Sequence, residues 1–362
     1  MKNVNTTSQT ALAPAESKER IDAFVLPLLE QLTEQARRIN PHYETLWQDI
    51  QNLYTAGGKR FRSYMTLLTY EAFSGASPEK VIPAAAAQEL LHIAMLIHDD
   101  IIDRDVMRYG VKNVTQQYLD HYEELIGDTS DRQHYAESAA ILAGDLLISQ
   151  AYALVAETNV DPAIILKTQR LLSKAIFKVI GGELLDTEAA FRSSDSADPL
   201  VIAEQKTASY SFVSPFLMGA TLAEASPIQH NILQTLGEQL GIAYQLRDDL
   251  LGVFGDTAAT GKSTDGDIKE GKRTLLIEAF RSLATEAQAT EFNTLFGRQD
   301  ASAKDIKRVK ALLIESGAKA SVEKLIDEYK AYAQTLLQSL DIDKAHAESF
   351  SQLIALCLER EK

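Results

Sequence analysis

Between Ile82 and Asp103 the chain is apolar on nearly every side of a helix, running through Leu90, Leu91, Ile93, Ala94, Met95, Leu96 and Ile97, and it closes on His98, Asp99, Asp100 and Asp103. A helix of this kind has to be surrounded by others. The acids at its end cannot enter a packed interior unpaired, since desolvating a carboxylate costs on the order of several kcal/mol unless a cation answers it. Gly237 to Leu251 has the same character and carries Gln245, Asp248 and Asp249. Two buried helices with acids at their ends imply one bundle with a polar mouth and an apolar interior.

The rest of the sequence agrees with an all-α fold. From Ile21 to Glu361 it is dominated by Ala, Leu, Ile, Glu, Gln and Lys, and strand-like alternation is scarce. Breaks are expected at Asn40-Pro41, Gly57-Gly58, Ser77-Pro78, Asp161-Pro162, Asp198-Pro199 and Ser226-Pro227, which separate segments of helical length without marking a linker. Residues 1–20 read as a loose N-terminal arm and 21–362 as one helical domain. The acidic stretch from Glu123 to Glu137 reads as a solvated insertion between two core helices.

Asp99 and Asp103 stand one helical turn apart, so both point to one side with Asp100 beside them. Grouped carboxylates suit a hard cation. Magnesium takes one or two of them and fills its other positions with water and phosphate oxygens, so two acidic half-sites suit a polyphosphate. The basic loop Gly57-Gly58-Lys59-Arg60-Phe61-Arg62 combines flexible backbone with cations, as a phosphate cradle would. Glycine beside lysine recurs at Gly261-Lys262 and Gly271-Lys272, with Asp267 between them.

The formal net charge is -15, which argues against nucleic acid or an anionic membrane as partner and makes metal the natural counter-charge for a diphosphate. No stretch is expected to span a bilayer, and no signal peptide is evident. Cys357 is the single cysteine, so no internal disulfide forms; a cytoplasmic enzyme is the expectation.

In the order and spacing of these elements the chain resembles the trans-type isoprenyl diphosphate synthases, the polyprenyl synthetase family, over nearly its whole length. Lys59 and Arg62 match the family's basic loop, and Asp99, Asp100 and Asp103 its first aspartate-rich motif, followed by Arg108. His92 stands at a diphosphate-contact position. Gly144-Asp145, Glu183 with Asp186, and Lys206-Thr207 match further motifs, with Glu183 in place of the usual Gln. Gln245, Asp248 and Asp249 match the second aspartate-rich motif, with Lys262, Asp267 and Lys272 beyond it.

The resemblance implies a single large orthogonal helical bundle with a central apolar cavity, of the isoprenoid synthase type. It also implies a prenyltransferase that condenses isopentenyl diphosphate with an allylic diphosphate. Three magnesium ions would sit on the allylic diphosphate, held by Asp99, Asp100, Asp103, Asp248, Asp249 and Asp267 and assisted by Arg108, Lys206 and Lys262. Asp99, Asp103, Lys206, Asp248 and Lys262 carry the catalytic roles; Lys59, Arg62, His92, Arg108, Thr207, Gln245 and Lys272 bind substrate. The released diphosphate serves as base. A homodimer is expected from the family.

Two departures stand out. Gly252 occupies the third acidic position of the second motif, so that Asp267 is expected to complete the coordination, and Tyr109 replaces a cation expected to grip isopentenyl diphosphate. Product length is expected to depend on Ala94, about 7.5 Å down the helix from Asp99, and on Met95. Small or flexible side chains there suggest geranylgeranyl diphosphate or a longer product. His98-Asp99 is also the HD pair of metal-dependent phosphohydrolases, a competing reading that leaves Asp248, Asp249 and the basic loop without a role. Gly252 and Tyr109 motivate a third reading, a non-catalytic subunit of a heteromeric synthase.

Overall fold

The computed structural model describes residues 11–74, 78–189, 198–255 and 265–358. The protein is all-α, with one two-stranded hairpin among the described residues. Residue contacts divide it into two compact units whose segments alternate along the chain: Met1–Gln169, Pro215–His230 and Leu340–Gln352 form the first, and Arg170–Ser214, Asn231–Ser339 and Leu353–Lys362 the second.

Helices α1 (Pro14–Ile39), α2 (Pro41–Ala56), α3 (Phe61–Ser74) and α4 (Ile82–Ile102) open the first unit. The hairpin β1 (Met107–Arg108) and β2 (Val111–Lys112) follows, then α5 (Val114–His121) and α6 (Thr129–Ala156). Asn40-Pro41, Asp161-Pro162, Asp198-Pro199 and Ser226-Pro227 are helix starts, whereas Gly57-Gly58 follows the end of α2 and Ser77 lies outside the described residues. Asn40 accepts a hydrogen bond from the His42 backbone N–H while Pro41 takes the first helical position, where a missing N–H costs nothing. Asp161 caps in the same way ahead of α7 (Pro162–Ala189), and Asp198 ahead of α8 (Pro199–Ile202).

The expected arm over residues 1–20 is too long. Pro14 begins α1, Leu12 and Ser17 are buried, and the Leu12 N–H donates to Glu71 (3.1 Å), so apolar burial carries the helix back past residue 20. The insertion expected at 123–137 is likewise shorter. Asp128 caps α6, which makes 129–137 its first turns and leaves 123–128 as the connection.

Within the first unit α4 packs on α6, α3 and α1. By length and composition Pro78–Ile102 and α6 are long and apolar enough to cross a membrane, contrary to the expectation from sequence. Two thirds of the α4 window (67%) is buried inside the protein, which is what a core helix requires.

The second unit takes most of α7, α8, an eleven-residue π-helical stretch Ala203–Val213, and the greater part of α10 (Pro227–Phe254); α9 (Ser214–Leu222) precedes α10. The unit continues with α11 (Gly266–Glu270), α12 (Leu275–Leu283), α13 (Glu286–Leu295), α14 (Ala303–Glu315) and α15 (Ala318–Leu337). The last helix, α16 (Lys344–Leu358), contributes to both units. The π stretch lies close against its neighbours at two glycines: a Cβ on Gly182 of α7 would fall on the Lys206 backbone, and one on Gly241 of α10 would fall on Ala208. Backbones approach this closely only where side chains are absent.

Candidate active site

The first acidic cluster lies at the C-terminal end of α4, and helical spacing sorts its residues by face. His92, Met95 and Asp99 fall on one stripe and are partly exposed, whereas Ile93, Ala94, Ile97 and Asp100 are buried. Asp99 and Asp103 bring carboxylate oxygens within 4.8 Å of each other, a spacing that suits one shared cation.

Asp100 turns the other way, 2% exposed, and accepts hydrogen bonds at one oxygen from Nε (2.7 Å) and Nη2 of Arg108. Arg108 Nη2 also reaches Asp99 Oδ2 and Asp105 Oδ2, each at 3.2 Å. Burial pushes the Asp100 carboxyl up to about 6 despite Arg108. Asp100 therefore anchors Arg108, and Asp99 and Asp103 are the acids of this motif that stay open to solvent. The hairpin makes this contact possible. Tyr109 (φ 53°) and Gly110 (φ 78°) form its two-residue turn, both left-handed, and fold Arg108 back onto α4.

The basic loop divides its cations. Arg60 is buried: it donates to Asp22 (2.8 Å) and to the carbonyls of Gly57 (2.8 Å) and Tyr54 (2.7 Å), and it lies over the Tyr54 ring. It is structural. Lys59 is exposed and Arg62 partly so. His92 is held neutral, its pKa well below the ordinary value because burial and then Arg62, Arg108 and Arg60 oppose a second proton. The Tyr109 hydroxyl lies 3.5 Å from His92 Nε2, and its ring covers Gly57 so closely that a Cβ there would meet Tyr109 Cγ at 2.7 Å.

His98 lies against α6, its Nε2 3.2 Å from the carbonyl of Ile141, and its ring fills the space a side chain on Gly144 would need.

In the second unit one small pocket is lined by Asp186, Lys206, Thr207, Gln245, Asp249 and Lys272, among others. Glu183 and Asp186 stand one turn apart on α7. Both hold the Lys206 ammonium: Nζ is 2.7 Å from Asp186 Oδ2 and 3.0 Å from Glu183 Oε2. Thr207 donates to Gln245 Oε1, and Gln245 Nε2 donates to Asp249 Oδ1 (2.8 Å), so the π stretch and α10 are joined by a polar chain.

Burial pushes the Asp249 carboxyl up to about 7 against the pull of Lys272 and the Gln245 amide. A cation would restore its charge, and hard oxygen donors of this kind fit magnesium. Burial also pushes Asp186 up, but Lys272 and Lys206 more than offset this and hold it below the usual carboxylate range. Asp248 is exposed at the same helix end. A side chain on Gly252 would overlap the Asp267 carboxylate, so the acid missing from position 252 leaves room for Asp267.

Lys262 lies outside the described residues. The role of Glu183 and Asp186 as partners of Lys206 emerges only from the structure, although their i, i+3 spacing directly after Gly181-Gly182 marks them in the sequence. Asp105, a third acid on Arg108, had no motif to reveal it.

Residues 44–313 match the polyprenyl synthetase family. The chain belongs to that family. It is 32% identical over 319 residues to a geranylfarnesyl diphosphate synthase of Aeropyrum pernix, covering 86% of this chain and 93% of that one. It is 31% identical over 287 residues to a geranylgeranyl diphosphate synthase of Methanosarcina mazei (79% and 81%). Among solved structures, the geranylgeranyl pyrophosphate synthase of Corynebacterium glutamicum, complexed with isoprenyl diphosphate and magnesium, superposes with a TM-score of 0.87 at 29% identity, covering 97% of this chain and 99% of that one. This polyprenyl synthetase is a prenyltransferase of the trans-isoprenyl diphosphate synthase type, and the phosphohydrolase reading is set aside.

Proposed function

We propose that this polyprenyl synthetase joins isopentenyl diphosphate to an allylic prenyl diphosphate, head to tail, and extends the product to geranylgeranyl diphosphate or beyond. The observation that carries the reading is the make-up of the second-unit cluster. Asp186, Asp249 and Asp267 are interleaved with Lys206 and Lys272, a mixture suited to a metal-bound diphosphate and to neither ion alone.

In this reading Asp99 and Asp103 of the first unit, and Asp248, Asp249 and Asp267 of the second, would each supply oxygen ligands for magnesium, three ions in all, with Arg108 adding positive charge in the first unit and Lys206 and Lys262 in the second. Bound magnesium stabilises the negative charge of the departing diphosphate. The chain's own groups orient the reactants. Lys206 and Lys272 face the leaving oxygens while Thr207 and Gln245 fix the pocket wall; Lys59, Arg62 and the neutral His92 receive isopentenyl diphosphate. The allylic C1–O bond breaks, the isopentenyl double bond attacks C1, and a proton leaves the new cation for the released diphosphate. Relatives that make twenty- and twenty-five-carbon products support the long product, as does the absence of an aromatic side chain at positions 94 and 95.

A homodimer and a cytoplasmic location belong to the same proposal. Phe177 (83% exposed), Ile180 and Leu184 (67%) stand at i, i+3 and i+7 on α7, an apolar stripe that a second copy would cover. The lone cysteine suits a reducing compartment.

The test is incubation of the purified chain with labelled isopentenyl diphosphate and each allylic starter in turn, followed by sizing of the dephosphorylated products. Chains of twenty carbons or more are expected, abolished by chelation. No elongation, or a stop at fifteen carbons, defeats the proposal, and turnover by the chain alone excludes a non-catalytic subunit.

A further inference from the structure

Lys206 lines the second-unit pocket together with Lys272, and its ammonium is already claimed twice. Asp186 Oδ2 lies 2.7 Å and Glu183 Oε2 3.0 Å from Nζ, all three side chains less than a fifth exposed. Two carboxylates on one ammonium leave a net charge of -1, which repels a diphosphate. The two acids are not equivalent. Asp186 also lies in the field of the buried Lys272, which favours its charged form and keeps it as the standing partner of Lys206. Glu183 stands where the matching motif carries glutamine, which would hydrogen-bond Lys206 without cancelling its charge.

We infer that Glu183 is a lock on Lys206, a positioning residue that withholds the ammonium from diphosphate until a divalent cation draws the Glu183 carboxylate to itself. The chemistry is that of competing partners. A hard divalent cation takes a carboxylate oxygen more strongly than an ammonium does, and once Glu183 is so engaged Lys206 and Asp186 form a neutral pair that admits the anion. Metal then binds before diphosphate, or together with it, and metal-free diphosphate is excluded. Gly182 keeps the lock in place. With no Cβ there, the backbone of α7 reaches that of Lys206, and Glu183 is the next residue. The inference rests on the proposed role of Lys206 toward the allylic diphosphate.

The experiment is calorimetric titration of inorganic diphosphate into the full chain, once in chelator and once in excess magnesium, for the wild type and for Glu183→Gln. The wild type is expected to gain at least ~100-fold in affinity from magnesium, and Glu183→Gln less than ~10-fold because it already binds in chelator. Adding Lys206→Gln to Glu183→Gln is expected to abolish the metal-free binding. An equal magnesium gain in both proteins overturns the lock. Thermal melting checks folding, and Glu183→Ser repeats the test if the glutamine variant does not fold. Condensation of isopentenyl diphosphate by the wild type is assayed separately. Its absence defeats the proposed function, whereas the diphosphate titration judges Glu183 alone.

Discussion

Arg108 and Asp100 are each other's buried partner: two guanidinium nitrogens donate to one oxygen of a carboxylate that is 2% exposed. The pair fixes the end of α4 from its inner side, and Arg108 reaches round to Asp99 on the outer side. Lysine is a point charge and cannot make the forked contact. Arg108→Lys is expected to lower kcat by about 10- to 100-fold and to destabilise the protein by about 1–3 kcal/mol. Steady-state kinetics and urea denaturation measure the two effects, and a variant with unchanged kcat removes Arg108 from the reaction.

The stripe that carries Asp99 also carries Met95, whereas Ala94 is 0% exposed on the packed side of α4. Met95→Phe is therefore expected to shorten the product with little loss of stability. Ala94→Phe is expected to shorten it too, at a cost of about 1–3 kcal/mol from overpacking. Product sizing together with melting curves separates the two, and an unchanged distribution in both variants removes this helix from length control.

Asp49 is 1% exposed and accepts a hydrogen bond from His121 Nε2 (3.1 Å). Burial pushes its carboxyl up to about 6, the His121 contact offsetting only part of this. A folded-state pKa above the unfolded value gives stability that is full below about pH 4 and lost as pH rises through about 6. Asp49→Asn mimics the uncharged acid. It is expected to match the wild type near pH 4 and to exceed it by about 1–3 kcal/mol at pH 8. Denaturation at the two pH values measures the gap, and a variant weaker than wild type at pH 8 contradicts the dominance of burial.

Gly241 gives α10 its close approach to the π stretch that carries Lys206 and Thr207. Gly241→Ala is expected to cost about 1–3 kcal/mol and to move that stretch, raising KM for the allylic substrate more than for isopentenyl diphosphate. Comparison of the two KM values decides this, since general destabilisation would raise both alike.

Much of the architecture was legible along the chain because helix boundaries are local. Asn40-Pro41, Asp161-Pro162 and Asp198-Pro199 start helices by satisfying N–H groups within a few residues. The all-apolar run after Ile82 announced a core helix from composition alone. The start of α1 was not legible, because Ser17 is buried through packing rather than residue type. The hairpin is not legible in the sequence because four paired residues give no alternating pattern, and the close packing of the π stretch is not legible because it depends on glycines more than twenty residues away on either side.

The sequence by itself determined the inventory: which acids, lysines and glycines are present, their spacing along helices, and through these the family. Tertiary structure alone decided their allegiance. It turned Asp100 inward to Arg108 and Arg60 inward to Asp22, set Glu183 and Asp186 on Lys206, and gave Asp267 the space beside Gly252. The reason is that a charge's partner depends on distance and burial. Neighbours as far apart as Arg60 and Asp22 in the chain meet only once helices pack, and packing then determines which charges lose water and which stay open to substrate.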